Sequence, residues 1–178
     1  MARWIVDPDH SVAAFSVVHM MIARVRGQFN KISGTIFYDP LKIGSSSVEL
    51  VIDAASVFTG IQKRDEHLRS PDFFDVEKCP SISFKSTRID PVNSNQVQVT
   101  GDLQIHGKTG RITVRALISG PVKDPLGDGS SMGFTASLVI NREDYNMTWN
   151  QPMDDNGFMV GSDVEILIDL EADLDQTE

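Results

Sequence analysis

The chain of 178 residues contains a single cysteine, Cys79, so no internal disulfide can form and the fold does not require an oxidising compartment. No segment approaches the roughly 20 consecutive apolar residues that a transmembrane helix needs. The opening MARWIVDPDH has one arginine but no apolar run of signal-peptide length before the charged DPD. These absences predict a protein that is not embedded in a membrane and is located in the cytoplasm.

Positive charge is also scarce, because 16 Lys and Arg stand against 25 Asp and Glu and leave a net charge of −9. The resulting field repels phosphate backbones and anionic lipid headgroups, which argues against nucleic acid as a partner. The composition of 40% hydrophobic and 23% charged residues is typical of a globular protein. No repeat, low-complexity tract or linker interrupts it, so we predict a single domain over residues 1–178.

Alternation of apolar and polar residues with a period of two is the strongest signal in the sequence. In QVQVTGDLQIH, one face carries Val97, Val99, Leu103 and Ile105. The same alternation occurs in RITVRALISG, MGFTASLVIN, DVEILIDLEADL and SVELVIDAAS, and further candidate strands are the opening run to about Met21, RGQFNKISGTIFY and PSISFKSTRID. This makes eight strands, and the short breakers between them indicate antiparallel neighbours.

Eight such strands can form a two-sheet sandwich or a closed barrel, and only the barrel leaves no exposed edges. An eight-stranded barrel is just wide enough to pack itself or to hold one small ligand. An outer-membrane barrel also alternates, but two Trp and two Tyr are too few for its aromatic girdles, so the apolar faces should point inward. The polar stretch GIQKRDEHLRSPDFFDVEKCP contains helix formers and predicts a short helical insertion around residues 61–76.

Four long segments carry a resemblance to a known family: WIVDPDHSVAAFSVVHMMIARVRGQF, TGIQKRDEHLRSPDFFDVEKCPSISFKST, VTGDLQIHGKTGRITVRA and GFTASLVINREDYNMTW. In this order they resemble the YceI-like, polyisoprenoid-binding family over nearly the whole chain. The resemblance implies an all-β, eight-stranded antiparallel lipocalin-like barrel. It also implies that the interior holds a long isoprenoid lipid (a polyprenol, a polyprenyl phosphate or an isoprenoid quinone), with no other cofactor, and that the protein forms a homodimer.

The residues that we predict to contact this ligand are inward-facing strand residues together with aromatic and polar residues of the two longest irregular segments. They are Phe15, Val17, His19, Phe29, Leu50, Ile52, Phe73, Phe74, Phe84, Leu103, Ile105, Phe134, Leu138, Arg142, Met147 and Trp149. Phe73 and Phe74 could line the mouth of the cavity or instead plug the barrel as ordinary core. Arg142 and the pair Arg64–Asp65 could form ion pairs that lock loops over the barrel, or either arginine could face a phosphate group.

The histidines are the residues most often used in chemistry, and two of them bracket the first strand. His19 shares a face with Phe15 and Val17, so it is either a polar anchor inside an apolar cavity or a buried histidine satisfied by neighbouring strands. His10, after DPD, is expected to order the entry of the strand. The spacing of His10, His19, His67 and His106 does not indicate a metal site, and RDEHL around His67 reads as a charged helix surface.

Two further motifs have ordinary explanations. HGKTG lacks the upstream glycine of a phosphate-binding loop and leads into a strand, so we predict a hairpin turn. Cys79 has no adjacent histidine or helix start and is expected to be an inert thiol.

Three functions are therefore compatible with the sequence. The favoured one is binding, storage or transport of an isoprenoid lipid, without catalytic residues. The alternatives are an enzyme that uses His19 as general base on a small apolar substrate, and a self-packed barrel whose outer surface binds another protein.

Overall fold

A computed structural model describes residues 1–125, 128–154 and 157–176. Within these residues the chain forms ten strands, one α-helix and three short 3-10 turns. The strands and the helix are β1 (Ala2–His19), β2 (Ala23–Phe29), β3 (Ile32–Tyr38), β4 (Ser47–Asp53), β5 (Val57–Phe58), α1 (Gln62–Arg69), β6 (Ser81–Pro91), β7 (Gln96–Ile105), β8 (Lys108–Lys123), β9 (Ser130–Asn141) and β10 (Val160–Leu174).

All ten strands belong to one antiparallel sheet, in the order β10-β9-β8-β7-β6-β4-β3-β1-β2-β5, and the pairing of β10 with β1 closes it. The predicted eight-stranded barrel is confirmed. The ten strands make up eight members of the barrel, because two members are each divided into two segments. β1 pairs with β3 near its beginning, from Ala2↔Tyr38, and with β2 near its end, through His19↔Ala23. The predicted strand RGQFNKISGTIFY is therefore β2 and β3 beside one partner, interrupted at Asn30–Lys31. β4 pairs with β3, and β5 pairs with β2. They form the next member of the barrel, which is divided by a 3-10 turn over Ala54–Ser56.

The segment Pro8–Ser11 forms a bulge in β1. The register with β10 passes from Asp7↔Glu171 directly to Val12↔Asp169, so four residues of β1 stand opposite one of β10. The Ser11 hydroxyl replaces the lost ladder by accepting from the Glu171 amide at 3.0 Å and donating to its carbonyl at 3.2 Å. His10 thus lies within a strand that already begins at Ala2, and the expectation that it orders the strand entry is wrong.

The predicted inward faces are those found in the structure. In β7, Val97, Val99, Leu103 and Ile105 are buried, and the intervening Gln104 is exposed. The residues of β8, β9 and β10 that alternate with polar neighbours likewise face the interior. Apolar side chains therefore converge on the barrel axis.

The two ends of the barrel differ. At the amino end, where β1 begins, Trp4, Val6, Met132 and Ala172 are buried and fill the space between the strands. At the other end β1 stops at His19, and two long segments outside the sheet meet there: α1 with its flanking turns, and residues 142–154 and 157–159. We call this the helix end. No helix among the described residues is long and apolar enough to cross a membrane.

The close approach of β6 and β7 leads to a first prediction. Gly101 lies opposite the bulge of β6 between Ser86 and Arg88, and a Cβ added there would lie 2.5 Å from the Lys85 carbonyl oxygen and from the Phe84 ring. Gly101→Ala should therefore lower the free energy of unfolding in urea by about 1–3 kcal/mol. Gly44→Ala is the control, since its nearest neighbour would be 3.9 Å away. Equal stability of the two variants would contradict this account.

Candidate functional site

The barrel contains a continuous cavity of about 360 Å³. Its walls come from β1, β2, β3, β4, β6, β7, β8, β9 and β10, from α1 and from both segments of the helix end. All sixteen residues that the sequence analysis proposed as ligand contacts line it: Phe15, Val17, His19, Phe29, Leu50, Ile52, Phe73, Phe74, Phe84, Leu103, Ile105, Phe134, Leu138, Arg142, Met147 and Trp149. The structure brings them together around one space, and their contact with a ligand stays a prediction.

The wall of this cavity is almost entirely apolar along its length, and its ionisable groups are concentrated at the helix end. Most of the wall consists of Val, Leu, Ile, Ala and Phe side chains from the strands. Near the amino end the polar groups are the hydroxyls of Tyr38 and Ser46, and the latter already accepts from the Asp39 amide at 3.1 Å. At the helix end the cavity reaches His19, Arg64, His67 and Arg142. Such a cavity suits a long apolar molecule with a polar group at one end.

His19 is a polar group of the wall whose ring is free to bind a guest. It is half-buried at the end of β1, after a register shift between Val17 and His19. Within the described part of the chain, its ring makes no hydrogen bond to protein, so its second role proposed above, a histidine satisfied by neighbouring strands, is not supported. Both ring nitrogens remain available to a hydroxyl, carbonyl or phosphate oxygen.

Helix α1 presents a face to the cavity that the sequence analysis interpreted differently. Arg64, His67 and Leu68, spaced i, i+3 and i+4, all line it. RDEHL is therefore not simply a charged helix surface. His67 was missed as a wall residue, and Arg64, considered only as a possible partner of an ion pair or a phosphate, is one as well. The helical spacing of the two polar residues with Leu68 was the signal that could have revealed them.

Arg64 and Asp65 both bind Thr59, so they hold a loop through this threonine and not through the ion pairs that were one of the two roles considered for them. The Arg64 guanidinium donates to the Thr59 hydroxyl at 2.7 Å and to its carbonyl at 2.9 Å. Asp65 is buried and accepts from the Thr59 amide at 2.9 Å and the hydroxyl at 2.5 Å. The start of α1 is thereby tied to the end of β5, which orients Arg64 beside the cavity.

Aromatic rings cover the helix end. His67 stands edge-on to Trp149 and Phe73, with ring centroids 4.7 and 5.1 Å apart, and its Nε2 lies 2.8 Å from an Asp72 carboxylate oxygen. Phe74 packs edge-on against Phe29 at 5.3 Å. Phe73 is buried and both phenylalanines line the cavity, so they border it at the helix end rather than filling the barrel.

Arg142 is almost fully buried, and its function in this structure is to hold the neighbouring loop. Its guanidinium donates to the carbonyls of Gly161 at 2.8 Å, Trp149 at 2.9 Å and Val160 at 3.2 Å, and also to that of Met147. These partners are backbone carbonyls, so Arg142 locks a loop as one of its two proposed roles required, but through carbonyls and not through an ion pair. Burial among them lowers the pKa of Arg142 from its usual value. The arginine thus fixes Met147 and Trp149 at the cavity wall.

Outside the barrel, the β1 bulge brings together Asp7, His10 and Glu171, with potential ligand atoms all within 4.8 Å of one another. The spacing of the histidines could not reveal this group, because Glu171 comes from the far end of the chain. His10 Nδ1 lies 2.6 Å from an Asp7 carboxylate oxygen, and this hydrogen bond raises the pKa of His10 and lowers that of Asp7. The group is largely exposed, and we assign no metal to it.

The two remaining motifs lie away from the cavity. His106 and Gly107 join β7 to β8 with φ of 48° and 70°, so the predicted hairpin turn at HGKTG is confirmed. Cys79 is half-buried before Pro80 near this turn, and its inertness stays a prediction.

A sequence profile for the YceI-like domain matches residues 4–172. The chain belongs to the YceI-like family. A UPF0312 protein of Vibrio cholerae is 34% identical over 148 residues, which are 82% of this chain and 78% of the relative. Membership agrees with the resemblance on which the lipocalin-like barrel was predicted.

Solved structures show the same fold. BcnA of Burkholderia cenocepacia is 27% identical, with a TM-score of 0.82 over 93% of this chain and 98% of its own. A polyisoprenoid binding domain from Saccharophagus degradans, implicated in plant cell wall breakdown, has a TM-score of 0.74 over 98% of this chain and 100% of its own. Since that domain is 18% identical, it supports the YceI-like fold alone.

The network around Arg142 leads to a second prediction. Arg142→Met should lower the free energy of unfolding by at least about 3 kcal/mol, because several buried carbonyls lose a charged donor together. Arg88→Met, which breaks an exposed pair with Asp90, should change it by no more than about 0.5 kcal/mol. Urea denaturation measures both, and a loss below about 1 kcal/mol in Arg142→Met would contradict the locking role.

Proposed function

We propose that this YceI-like protein binds, stores or transports a long-chain isoprenoid lipid inside the barrel. The observation that carries the proposal is the apolar cavity of the barrel, whose ionisable groups are concentrated at one end. The Saccharophagus degradans neighbour is a polyisoprenoid binding domain, and the shared fold gives the proposal further support. A polyprenol, a polyprenyl phosphate and an isoprenoid quinone all combine the required long apolar chain with one polar head.

The physical demand on such a protein is selectivity rather than hydrophobic driving force. Transfer from water into the cavity is favourable by ~0.8 kcal/mol per CH₂, but transfer from a bilayer gains almost none of this because both sites exclude water. Discrimination must therefore come from cavity shape and from a few polar contacts. His19, with free ring nitrogens, and the arginine and histidine of α1 are the groups suited to that task.

We propose that the polar head lies at the helix end and the isoprenoid chain extends toward the amino end. The wall in that direction includes Ile36, Val48, Ile89, Val97 and Ile118, which offer no donor or acceptor. Beyond them Trp4 and Met132 fill the barrel and would limit the length of chain that enters. A chain longer than the cavity must fold back within it or protrude at the helix end.

The two rival functions have less support. A general base at His19 would need a carboxylate or second polar group to tune it, and none of the described residues hydrogen-bonds its ring. A self-packed barrel would have no space at its centre, whereas this one has about 360 Å³. The cytoplasmic location and the homodimer expected from the sequence remain predictions.

Filling the cavity tests the proposal. Ala136 lines the wall, while the next residue, Ser137, points outward from the same strand. Ala136→Phe should weaken binding of a long-chain polyprenol at least about tenfold, because the added ring occupies the space of the chain. Ser137→Phe should bind as the unaltered protein does.

Mass spectrometry of lipids extracted from the purified proteins, followed by titration with the polyprenol, measures both variants. Circular dichroism establishes that each variant is folded. A protein that copurifies with no isoprenoid and also fails to bind added polyprenol, polyprenyl phosphate and quinone would refute the function.

The position of the head can be tested separately. His19→Phe should reduce the preference for a polyprenol over an isoprenoid hydrocarbon of equal length by about two- to tenfold, the value of one net hydrogen bond. Tyr38→Phe removes a hydroxyl at the opposite end and should leave that preference unchanged. Competition between the two lipids, read by mass spectrometry, measures the ratio. A loss of preference in Tyr38→Phe alone would reverse the proposed orientation.

A further inference from the structure

The turn between β1 and β2 exposes an unusual group of apolar side chains. Met20, Met21 and Ile22 follow one another without a charged residue, and Met21 and Ile22 are 52% and 85% exposed. Phe158, 39% exposed, lies on the adjoining segment. The Met21 Cε lies 2.7 Å from the position of a Cβ on Gly157, which places the two segments in contact. We call Met20, Met21, Ile22 and Phe158 the apolar tip.

The backbone conformation of this turn is unfavourable, in addition to the exposure of its apolar side chains. Met20 and Met21 have φ of 50° and 60°, a left-handed region that glycine or asparagine adopts far more readily than a long apolar side chain. Two methionines in such positions, followed by an isoleucine facing water, offer no gain to the isolated chain. Strained and exposed residues of this kind point to an interaction partner.

The apolar tip stands directly at the helix end of the cavity. The Met20 amide donates to the Met159 carbonyl at 2.8 Å, and Met159 itself lines the cavity. Val18 and His19, which precede the tip, and Val25, which follows it, also line the cavity. An apolar surface outside the barrel is therefore joined through one layer of residues to the apolar space inside.

We infer that the apolar tip inserts into the surface of a lipid bilayer and brings the cavity against it. The inference rests on the proposed function, because a barrel that carries a membrane lipid must meet the membrane to load or release it. A bilayer accepts an apolar tip of a few side chains, as shallow insertion of such groups requires no matching surface. A second copy of the chain is a poorer occupant, since four side chains fall short of the ~800 Å² per partner in a stable interface.

The charge of the chain determines which bilayer suits the test. With a net charge of −9, the protein is repelled by anionic headgroups, so an uncharged surface is the appropriate probe. Near the tip, Arg24 is paired with Glu165 at 2.8 Å and adds little positive field. Insertion should therefore depend on apolar contact and change little with salt concentration.

Flotation with phosphatidylcholine vesicles tests the inference on the full chain. Ile22→Asp should lower the bound fraction so that the partition coefficient falls at least about tenfold, the effect of losing one inserted isoleucine. Leu41→Asp is the matched control, because Leu41 is 97% exposed in the loop after β3, at the amino end of the barrel. This variant should bind vesicles as the unaltered protein does.

A second measurement separates this inference from the proposed function. Transfer of a polyprenol from vesicles to the protein should slow about tenfold in Ile22→Asp, while the amount bound at equilibrium is unchanged, since no cavity residue is altered. Lipid binding with no vesicle association, or with equal association of the two variants, would refute insertion of the apolar tip into a bilayer. It would leave the proposed function standing. The apolar tip could instead hold two copies of the chain together. Sedimentation would then show a dimer that Ile22→Asp abolishes, and this result would also refute insertion into a bilayer.

Discussion

The hydrogen bonding of β1 to β10, from Trp4↔Leu174 to His19↔Val160, is the constraint on which the rest of the structure depends. It joins the two ends of the sheet, so that neither β1 nor β10 is left as an open edge. Without this pairing the same strands would form two open sheets that could collapse face to face and remove the central space. Closure therefore keeps apolar side chains at a distance from one another around an axis that they do not fill.

An unfilled apolar interior costs stability, because its walls lose the contacts that close packing would provide. The protein limits this cost to one part of the barrel. The amino end is filled by residues such as Trp4 and Met132, while the remaining length stays open toward the helix end. The two ends of the cavity therefore differ. Buried apolar side chains fill the barrel at the amino end, and ionisable groups and aromatic rings border the cavity at the helix end.

The helix end is built from the segments that interrupt the sheet, and polar bonds to the backbone hold them there. Asp65 and Arg64 bind Thr59. Arg142 binds the carbonyls of Met147 and Trp149 in its own segment, and two carbonyls at the start of β10. Several of these bonds satisfy backbone groups outside the strands, those of Thr59, Met147 and Trp149. They also place His67 and Phe73 in contact with Trp149, which comes from a distant part of the chain. The site is thus a product of these segments as much as of the barrel.

The sequence by itself determined the strands, their inward faces and the antiparallel barrel, because period-two alternation is a local property that burial of one face must satisfy. The family resemblance added the expected ligand class. Only the tertiary structure decided that β2 and β3 share one partner strand, that Arg142 holds carbonyls instead of a carboxylate, and that α1 turns Arg64 and His67 toward the cavity. These features depend on contacts between residues far apart in the chain, and the identity of a polar residue does not state which distant group it will meet.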